Sequence, residues 1–175
     1  SRQIGVEKNY RNGEMDGKGL FKSAKVKSNK QLIYSGYFKE GKFSGQGRLD
    51  FYNGDIYIGS FIDGLMYGSG VLKYKNGAVY TGIFNKGNKE GKGKLVYADG
   101  VIYEGDFNND KIEGLGKIIY EPGNEYKGEF LNNLMHGKGT ILSFTDEGKE
   151  NMKKVGEWKD DLKHGLFSYY KNGKI

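Results

Sequence analysis

The sequence has 175 residues, a formal net charge of +6 and no cysteine, which excludes disulfides and thiolate chemistry and favours a reducing, cytoplasmic compartment. Its 14 tyrosines and 10 phenylalanines are typical of a folded chain rather than a disordered one, although 30 residues are glycine. No run of about 18 apolar residues is present, so no segment is predicted to span a membrane.

The first part of the chain, residues 1–33, is predicted to be a degenerate repeat. Gly17 and Gly19 form a Gly-x-Gly pair, and Tyr10 occupies an aromatic slot before them. A lysine-rich insertion, SAKVKSNKQL, then precedes the regular part of the sequence. Because the chain lacks an initiating Met and ends on the turn-like KNGKI, we expect it to be a fragment of a longer protein.

Regular repeats follow, and each opens with Tyr-x-Gly-x-Phe and continues with Gly-x-Gly nine residues after its first glycine. The predicted repeats are 34–56, 57–79, 80–102, 103–125 and 126–153, the last with an insertion, and a degenerate terminal repeat at 154–175. The chain is therefore predicted to be a single array of about seven units covering residues 1–175.

Each repeat has the period of a β-strand, because Tyr57, Gly59 and Phe61 recur every second residue and share one face. Turn dipeptides recur in one slot of each repeat: Asn53-Gly54, Asn76-Gly77, Asp99-Gly100 and Pro122-Gly123. We interpret the Asn-Gly and Asp-Gly pairs as two-residue hairpin turns. The predicted fold is therefore all-β, an elongated single-layer antiparallel β-sheet solenoid of repeated β-hairpins.

Glycine and aromatic residues share one face of this sheet, so a flat ring can lie over a residue that has no side chain. Such stacking gives a single sheet a thin core of its own, since each aromatic ring buries about 150–250 Å². The predicted core consists of the recurring aromatic residues: Tyr34, Phe38, Tyr57, Phe61, Tyr80, Phe84, Tyr103, Phe107, Tyr126, Phe130 and Trp158.

No catalytic residue, metal site or cofactor site is predicted. His136 and His164 are the only histidines, and each lies in the same repeat slot beside a glycine, which favours a structural role. The segment GYFKEGK, residues 36–42, resembles a phosphate-binding loop, but Phe43 stands where that loop requires Ser or Thr. Lysines alternate with acidic residues, so nucleic-acid binding is not predicted.

The opposite face of the sheet differs along the chain. It is apolar in the second and third regular repeats, whereas the same slots of later repeats carry charges such as Glu104 and Lys127. An exposed apolar stretch indicates a partner contact, although a twisted sheet could also bury these residues itself. The predicted partner-binding residues are Tyr37, Ile58, Ile62, Val71 and Ile83.

The pattern Y-x-G-x-[FW]-x-x-G-x-x-x-G-x-G at a period of 23 residues resembles the MORN repeat (membrane occupation and recognition nexus). EYKGEFLNNLMHGKG, from Glu125, and GEWKDDLKHG, from Gly156, match it most closely. The middle repeats depart from it in the histidine slot, which holds Ser44, Tyr67 and, in two repeats, Glu. The last repeat also has Phe167 in place of its second glycine.

The resemblance implies a non-catalytic scaffold that anchors protein partners at a cytoskeletal structure or at the cytoplasmic face of a membrane. A peptide or helix lying along the sheet groove and a homodimer are the partners expected. One alternative is binding of anionic phospholipid headgroups through Lys86, Lys89, Lys92 and Lys94. Another is an accessory role beside a catalytic domain outside these residues.

Overall fold

The computed structural model describes residues 9–23, 31–120, 123–145 and 150–171. The regular elements within these ranges are all β-strands. The chain divides into two compact units, Ser1–Asn88 and Lys89–Ile175, which we call the N-terminal and the C-terminal unit. Most of the first predicted insertion and part of the second lie outside the described residues, as does the predicted turn residue Pro122.

The strands follow the repeats in pairs. The first eight are β1 (Tyr10–Arg11), β2 (Glu14–Met15), β3 (Gly17–Lys22), β4 (Ile33–Lys39), β5 (Lys42–Asp50), β6 (Ile56–Ile62), β7 (Leu65–Lys73) and β8 (Val79–Asn85). The others are β9 (Asn88–Val96), β10 (Ile102–Asn108), β11 (Lys111–Ile119), β12 (Glu125–Leu131), β13 (Leu134–Phe144), β14 (Glu150–Lys159) and β15 (Leu162–Lys171). Strands β3 to β15 belong to one antiparallel sheet in chain order. The predicted all-β fold of repeated antiparallel hairpins is confirmed.

The two strands of each repeat are joined by a two-residue turn. In the 34–56 repeat Lys39 faces Lys42, and the intervening Glu40 and Gly41 have φ of 50° and 73°. Positive φ at both positions defines a type I′ turn, whose twist matches that of the flanking strands. The interpretation of Asn53-Gly54 and its equivalents as two-residue hairpin turns is therefore wrong. They lie in longer connections, such as the one from β5 to β6, where the Gly54 N–H donates to the Phe51 carbonyl at 3.0 Å.

A β-bulge explains the first glycine of each Gly-x-Gly. In the 34–56 repeat the register between β4 and β5 shifts after Gly36, so that Tyr37 faces Ser44. The next residue, Gly45, has a φ of 59°, and the equivalent Gly68 has a φ of 67°. This left-handed conformation favours glycine and is typical of bulges that lie next to tight turns.

The second glycine and the glycine of Tyr-x-Gly-x-Phe form a floor beneath the tyrosine ring. Gly36 and Gly47 face each other across β4 and β5. A Cβ atom on Gly47 would lie 2.5 Å from Tyr34 Cε2, and one on Gly36 would lie 2.5 Å from Tyr34 Oη. The ring thus covers one glycine of its own strand and one of the neighbouring strand, and neither position has room for a side chain.

The hydroxyl of each such tyrosine donates a hydrogen bond to a backbone carbonyl at the bulge. Tyr34 donates to the Tyr37 carbonyl at 2.9 Å, and Tyr57 donates to the Ser60 carbonyl at 3.0 Å. The same bond recurs in the C-terminal unit, where Tyr103 donates to the Asp106 carbonyl at 2.9 Å. Because the bulge interrupts strand pairing at this carbonyl, the hydroxyl supplies the hydrogen bond that a buried polar group requires.

Phenylalanine edges complete the face of the sheet that carries the tyrosines, which we call the core face. Tyr34 meets Phe38 and Phe61 edge-on, each with ring centroids 5.1 Å apart. Tyr103 meets Phe107 and Phe130 in the same way at 5.2 Å. These T-shaped contacts are the favoured geometry of aromatic pairs. All eleven predicted core residues are at most 5% exposed, and the five tyrosines are 0% exposed.

Further residues of the core face were not predicted. Leu49, Leu72 and Ile112 are buried, and the Phe43 ring stacks on Tyr34 with centroids 3.8 Å apart. Their signal in the sequence is the period of two, since Leu49 follows Gly47 at the same spacing as Phe38 follows Gly36.

The terminal repeat supplies its ring from a different strand. Lys154 occupies the slot that holds tyrosine in the regular repeats, and Phe167 replaces the second glycine. A Cβ atom on Gly156 would lie 2.7 Å from the Phe167 ring, which meets Trp158 edge-on at 5.3 Å. An aromatic ring therefore covers Gly156 although the tyrosine is absent, because Phe167, which replaces the second glycine, supplies the ring that the tyrosine supplies elsewhere.

Candidate functional site

The five predicted partner-binding residues lie on the face opposite the core face, which we call the open face, in β4, β6, β7 and β8 of the N-terminal unit. Tyr37 is 49% exposed, Ile58 43%, Ile62 51% and Ile83 41%, and Val71 is half-buried. Ile58 faces Val71 directly across β6 and β7. We call these five residues the apolar patch.

Two residues that the sequence analysis did not list extend the apolar patch. Leu65 is 48% exposed and Tyr67 42%, and Leu65 faces Ile62 beside the hairpin turn. Their sequence signal was the alternation along β7, because Leu65 and Tyr67 have the same parity as Val71 and the alternation continues through the bulge.

Basic side chains surround the apolar patch. Lys18 faces Tyr37 across β3 and β4, Lys39 lies two residues after Tyr37, and Lys73 lies two residues after Val71. Among the described residues, none of these three lysines lies within 4.0 Å of a carboxylate. They therefore leave a positive charge beside the patch.

The open face of the C-terminal unit instead carries paired charges. Lys92 contacts Asp106 at 2.7 Å, and Lys94 contacts Glu104 at 2.8 Å. A hydrogen bond from Lys94 is the main reason that the pKa of Glu104 lies below its usual value. The pKa of Asp106 is also lowered, because Lys92 and the Leu115 N–H together outweigh the larger single effect of desolvation.

The four lysines predicted as phospholipid ligands differ in their surroundings. Lys86 is an exposed residue of a hairpin turn, with a φ of 49°. Lys92 and Lys94 are the paired residues just described. The Lys89 side chain is only 12% exposed and contacts Asp110 at 3.1 Å, because it occupies the core-face slot that Phe43 fills in the first regular repeat. Lys89 is therefore a poor candidate for headgroup binding.

The core-face tyrosines already use their hydroxyls internally, whereas Trp158 Nε1 is buried without a hydrogen-bond partner among the described residues. The hydroxyls of Tyr34, Tyr57 and Tyr126 donate to backbone carbonyls at 2.9–3.0 Å. Desolvation by burial raises the pKa of each of these tyrosines to about 12. The rings are neutral, buried and bonded internally. The predicted docking of a peptide or helix along a groove of this face stays a prediction.

Other chemistry is sparse in the described ranges. His136 Nδ1 lies 3.5 Å from Asp160 Oδ1, and no group of three or more His, Asp or Glu side chains in these ranges could hold a metal ion. The same ranges contain no helix that is long and apolar enough to cross a membrane. These two observations leave the apolar patch as the most distinctive surface of the described residues.

Comparison with solved structures returned 37 chains. One is the SAS-4 (dCPAP) TCP domain in complex with a Proline Rich Motif of Ana2 (dSTIL) of Drosophila melanogaster. It is 14% identical, with 77% of this chain and 87% of that chain covered and a TM-score of 0.32. No curated protein matches the sequence.

The family model of the MORN repeat matches seven segments: residues 9–25, 34–56, 57–79, 80–102, 103–125, 126–143 and 155–166. Four of these coincide with the regular repeats predicted from spacing alone. The structure shows why the pattern recurs, since each tyrosine, floor glycine and bulge glycine has a geometric role. The chain therefore belongs to the MORN repeat family.

Proposed function

We propose that this chain is a non-catalytic protein-interaction module and that a partner docks on the apolar patch of its N-terminal unit. MORN repeats are typically protein- or membrane-interaction modules and are not catalytic. The observation that carries the proposal is the exposure of Tyr37, Ile58, Ile62 and Ile83, each between 41% and 51%, on one face of a sheet. A sheet with one packed face is expected to be polar on the other, so these exposed apolar side chains indicate an interaction site.

Repeat geometry does not require the apolar patch. Ile58 and Lys127 occupy the same slot in different repeats, and Ile58 faces Val71 as Lys127 faces Thr140. Both repeats place a fully buried tyrosine on the core face. The apolar side chains at Ile58 and Val71 are therefore an additional feature, and a partner surface explains them.

Anionic phospholipid is the competing ligand. Of its predicted contacts, Lys92 and Lys94 are paired with carboxylates at 2.7 and 2.8 Å, and the Lys89 side chain is 12% exposed. Protein binding is therefore the function we propose. MORN repeat proteins are often cytoskeletal or membrane-associated, and we propose that this module anchors its partner at such a structure in the cytoplasm.

The test compares three forms of the chain in affinity capture: the natural sequence, Ile58→Asp with Val71→Asp, and the matched control Lys127→Asp with Thr140→Asp. A protein captured by the natural and control forms would be purified and titrated against all three by calorimetry. We expect the patch variant to lose at least tenfold in affinity, because two charges would replace apolar contacts at the interface.

Circular dichroism and thermal melts would first show that all three forms are folded. Binding that is equal for the patch variant and the natural chain would overturn the proposal. An equal loss in the control would also overturn it, since the partner would then depend on the C-terminal unit.

A further inference from the structure

We infer that the partner presents an amphipathic helix of about 13 residues, with an aliphatic stripe flanked by Asp and Glu side chains, to the apolar patch. This inference rests on the proposed function and adds the chemical class of the partner. It is drawn from the charge around the patch and from the spacing of the strands beneath it.

Charge is distributed unequally along the chain. Residues 1–88 contain 14 basic and 7 acidic side chains, whereas residues 89–175 contain 14 basic and 15 acidic ones. Lys18, Lys39 and Lys73 border the patch on three different strands without a carboxylate within 4.0 Å among the described residues. Complementary charges at the edge of an interface accelerate association and exclude partners of the wrong sign. The flanks of the partner should therefore be acidic.

Ile58 and Val71 lie in one row of side chains that crosses the strands. Arg48, Ile58, Val71 and Thr81 face one another in register from β5 to β8. Neighbouring strands are about 4.8 Å apart, so the five strands from β4 to β8 span about 19 Å. A helix rises about 1.5 Å per residue and 5.4 Å per turn. About 13 helical residues would cover this distance, with apolar anchors near β4, β6, β7 and β8, the strands that carry the apolar patch.

A second copy of this chain is a less suitable occupant, because pairing two such faces would bring their unpaired lysines together. A flat membrane is also disfavoured. Beside the patch, the hairpin turns carry Glu40 and Asp63, and the Asp63 side chain is 77% exposed. These carboxylates would face an anionic bilayer, whereas a narrow helix that follows the row of Ile58 and Val71 can leave both turns uncovered.

The test uses three synthetic helical peptides that share one leucine stripe and differ in their flanking residues, which are Glu, Gln or Lys. Fluorescence anisotropy would measure the affinity of each peptide for the full chain at low and at physiological salt. We expect the Glu peptide to bind at least tenfold more tightly than the Lys peptide, and the difference to shrink as salt increases.

Two chain variants separate the charge from the apolar contact. Lys39→Glu with Lys73→Glu should reduce the preference for the Glu peptide about tenfold and leave binding of the Gln peptide unchanged. Ile58→Asp with Val71→Asp should weaken all three peptides. The matched control, Lys127→Asp with Thr140→Asp, should change none of them.

Failure of this inference is distinguishable from failure of the proposed function. Equal binding of the three peptides, or tighter binding of the Lys peptide, would overturn the acidic partner while leaving the apolar patch as a docking site. If no peptide binds, the same forms would be sedimented with vesicles of phosphatidylcholine and phosphatidylserine. Pelleting that requires Ile58 and Val71 would identify a membrane as the ligand. No pelleting would overturn the acidic helix, and the affinity capture described above would then decide the proposed function separately.

Discussion

The core face has the same structure in both units, whereas the open face and the hairpin turns differ between them. Tyr57 in the N-terminal unit and Tyr103 in the C-terminal unit are both 0% exposed, and both donate from the hydroxyl to a carbonyl beside a bulge. On the open face, however, Ile58 and Val71 pair in one unit where ion pairs such as Lys94–Glu104 form in the other.

The hairpin turns of the two units also differ, in their second residue. In the N-terminal unit the second turn residue is glycine, as at Gly41 and Gly64, whereas in the C-terminal unit it is Asp110, Asn133 or Asp161. The Asn133 side chain accepts a hydrogen bond from the Ile112 N–H at 2.8 Å. Asp110 and Asp161 make equivalent bonds to Lys89 and Met135 at 2.9 and 2.7 Å. Each of these turns is thereby fastened to the preceding repeat by a side chain as well as by its backbone.

This difference separates two kinds of constraint. A tyrosine ring that lies on two glycines and donates to a bulge carbonyl leaves no room for other side chains at these positions. The core face is therefore the same in both units. The open face and the second turn residue make contacts that differ between the units, such as the Lys94–Glu104 ion pair and the bond from Ile112 to Asn133, while the same core face forms in both. The apolar patch lies where variation is permitted, and it is therefore informative about function.

The largest predicted effect is a loss of folding stability in both units at alkaline pH. Burial raises the pKa of Tyr34, Tyr57 and Tyr126 from 10.0 to about 12. A raised native pKa stabilises the fold fully below pH 10, and that contribution is lost as the pH rises towards 12, because the unfolded chain ionises first. Since several tyrosines contribute, the loss should exceed that of any single substitution.

Urea denaturation between pH 8 and pH 12 would measure this loss, and absorbance at 295 nm would follow tyrosine ionisation. The core tyrosines should ionise only as the chain unfolds. Tyr37→Phe is the control, because Tyr37 is 49% exposed and its removal should not change the pH dependence. Ionisation of all tyrosines near pH 10 in a chain that remains folded would contradict the prediction.

Loss of a floor glycine should have the next largest effect and should be equal in the two units. A Cβ atom at Gly47 or at Gly116 would lie 2.5 Å from the Cε2 atom of Tyr34 or Tyr103. Each Gly→Ala change should therefore lower the free energy of unfolding by about 3 kcal/mol, as expected for overpacking with little room to relax. Urea denaturation measures it.

Gly64→Ala is the matched control for those two changes. Its Cβ would meet no atom within 4 Å, and its φ of 83° should cost only about 1 kcal/mol. The two core faces would not be equivalent if Gly47→Ala and Gly116→Ala differed by more than the control effect itself.

Periodicity predicted what depends on local spacing. The spacing of Tyr57, Gly59 and Phe61 predicts a strand in which a ring lies over a glycine. The all-β fold follows from the repetition of this pattern. The strand pattern could not place the bulge at Gly45, because the two extra residues in β5 leave its alternation between the two faces unchanged. The sequence analysis also placed the hairpin turn at Asn53-Gly54 instead of Glu40-Gly41, because Asn-Gly is the preferred dipeptide of two-residue hairpin turns.

The candidate site was harder to predict for a different reason. The alternation of apolar residues identified Tyr37 and Ile58, but exposure depends on whether another layer covers them, which spacing does not encode. Lys89 shows the converse. As a lysine it suggested a surface ligand, yet its repeat slot belongs to the core face, so its stem is buried and its charge is neutralised by Asp110 at 3.1 Å.

The smallest predicted effect exchanges the turn chemistry of the two units. Gly64→Asn should stabilise the N-terminal unit by about 0.5–1 kcal/mol, because asparagine tolerates a positive φ and its side chain can accept from the Phe43 N–H. The Gly64 N–H already donates to the Phe43 carbonyl at 2.9 Å, as the Asn133 N–H donates to Ile112. Asn133→Gly should cost the C-terminal unit a similar amount. Thermal melts of both variants would measure these shifts, and the exposed Asp63→Asn serves as the control. If Gly64→Asn destabilises the chain, the hydrogen bond from Ile112 to Asn133 is a consequence of the turn rather than a source of its stability.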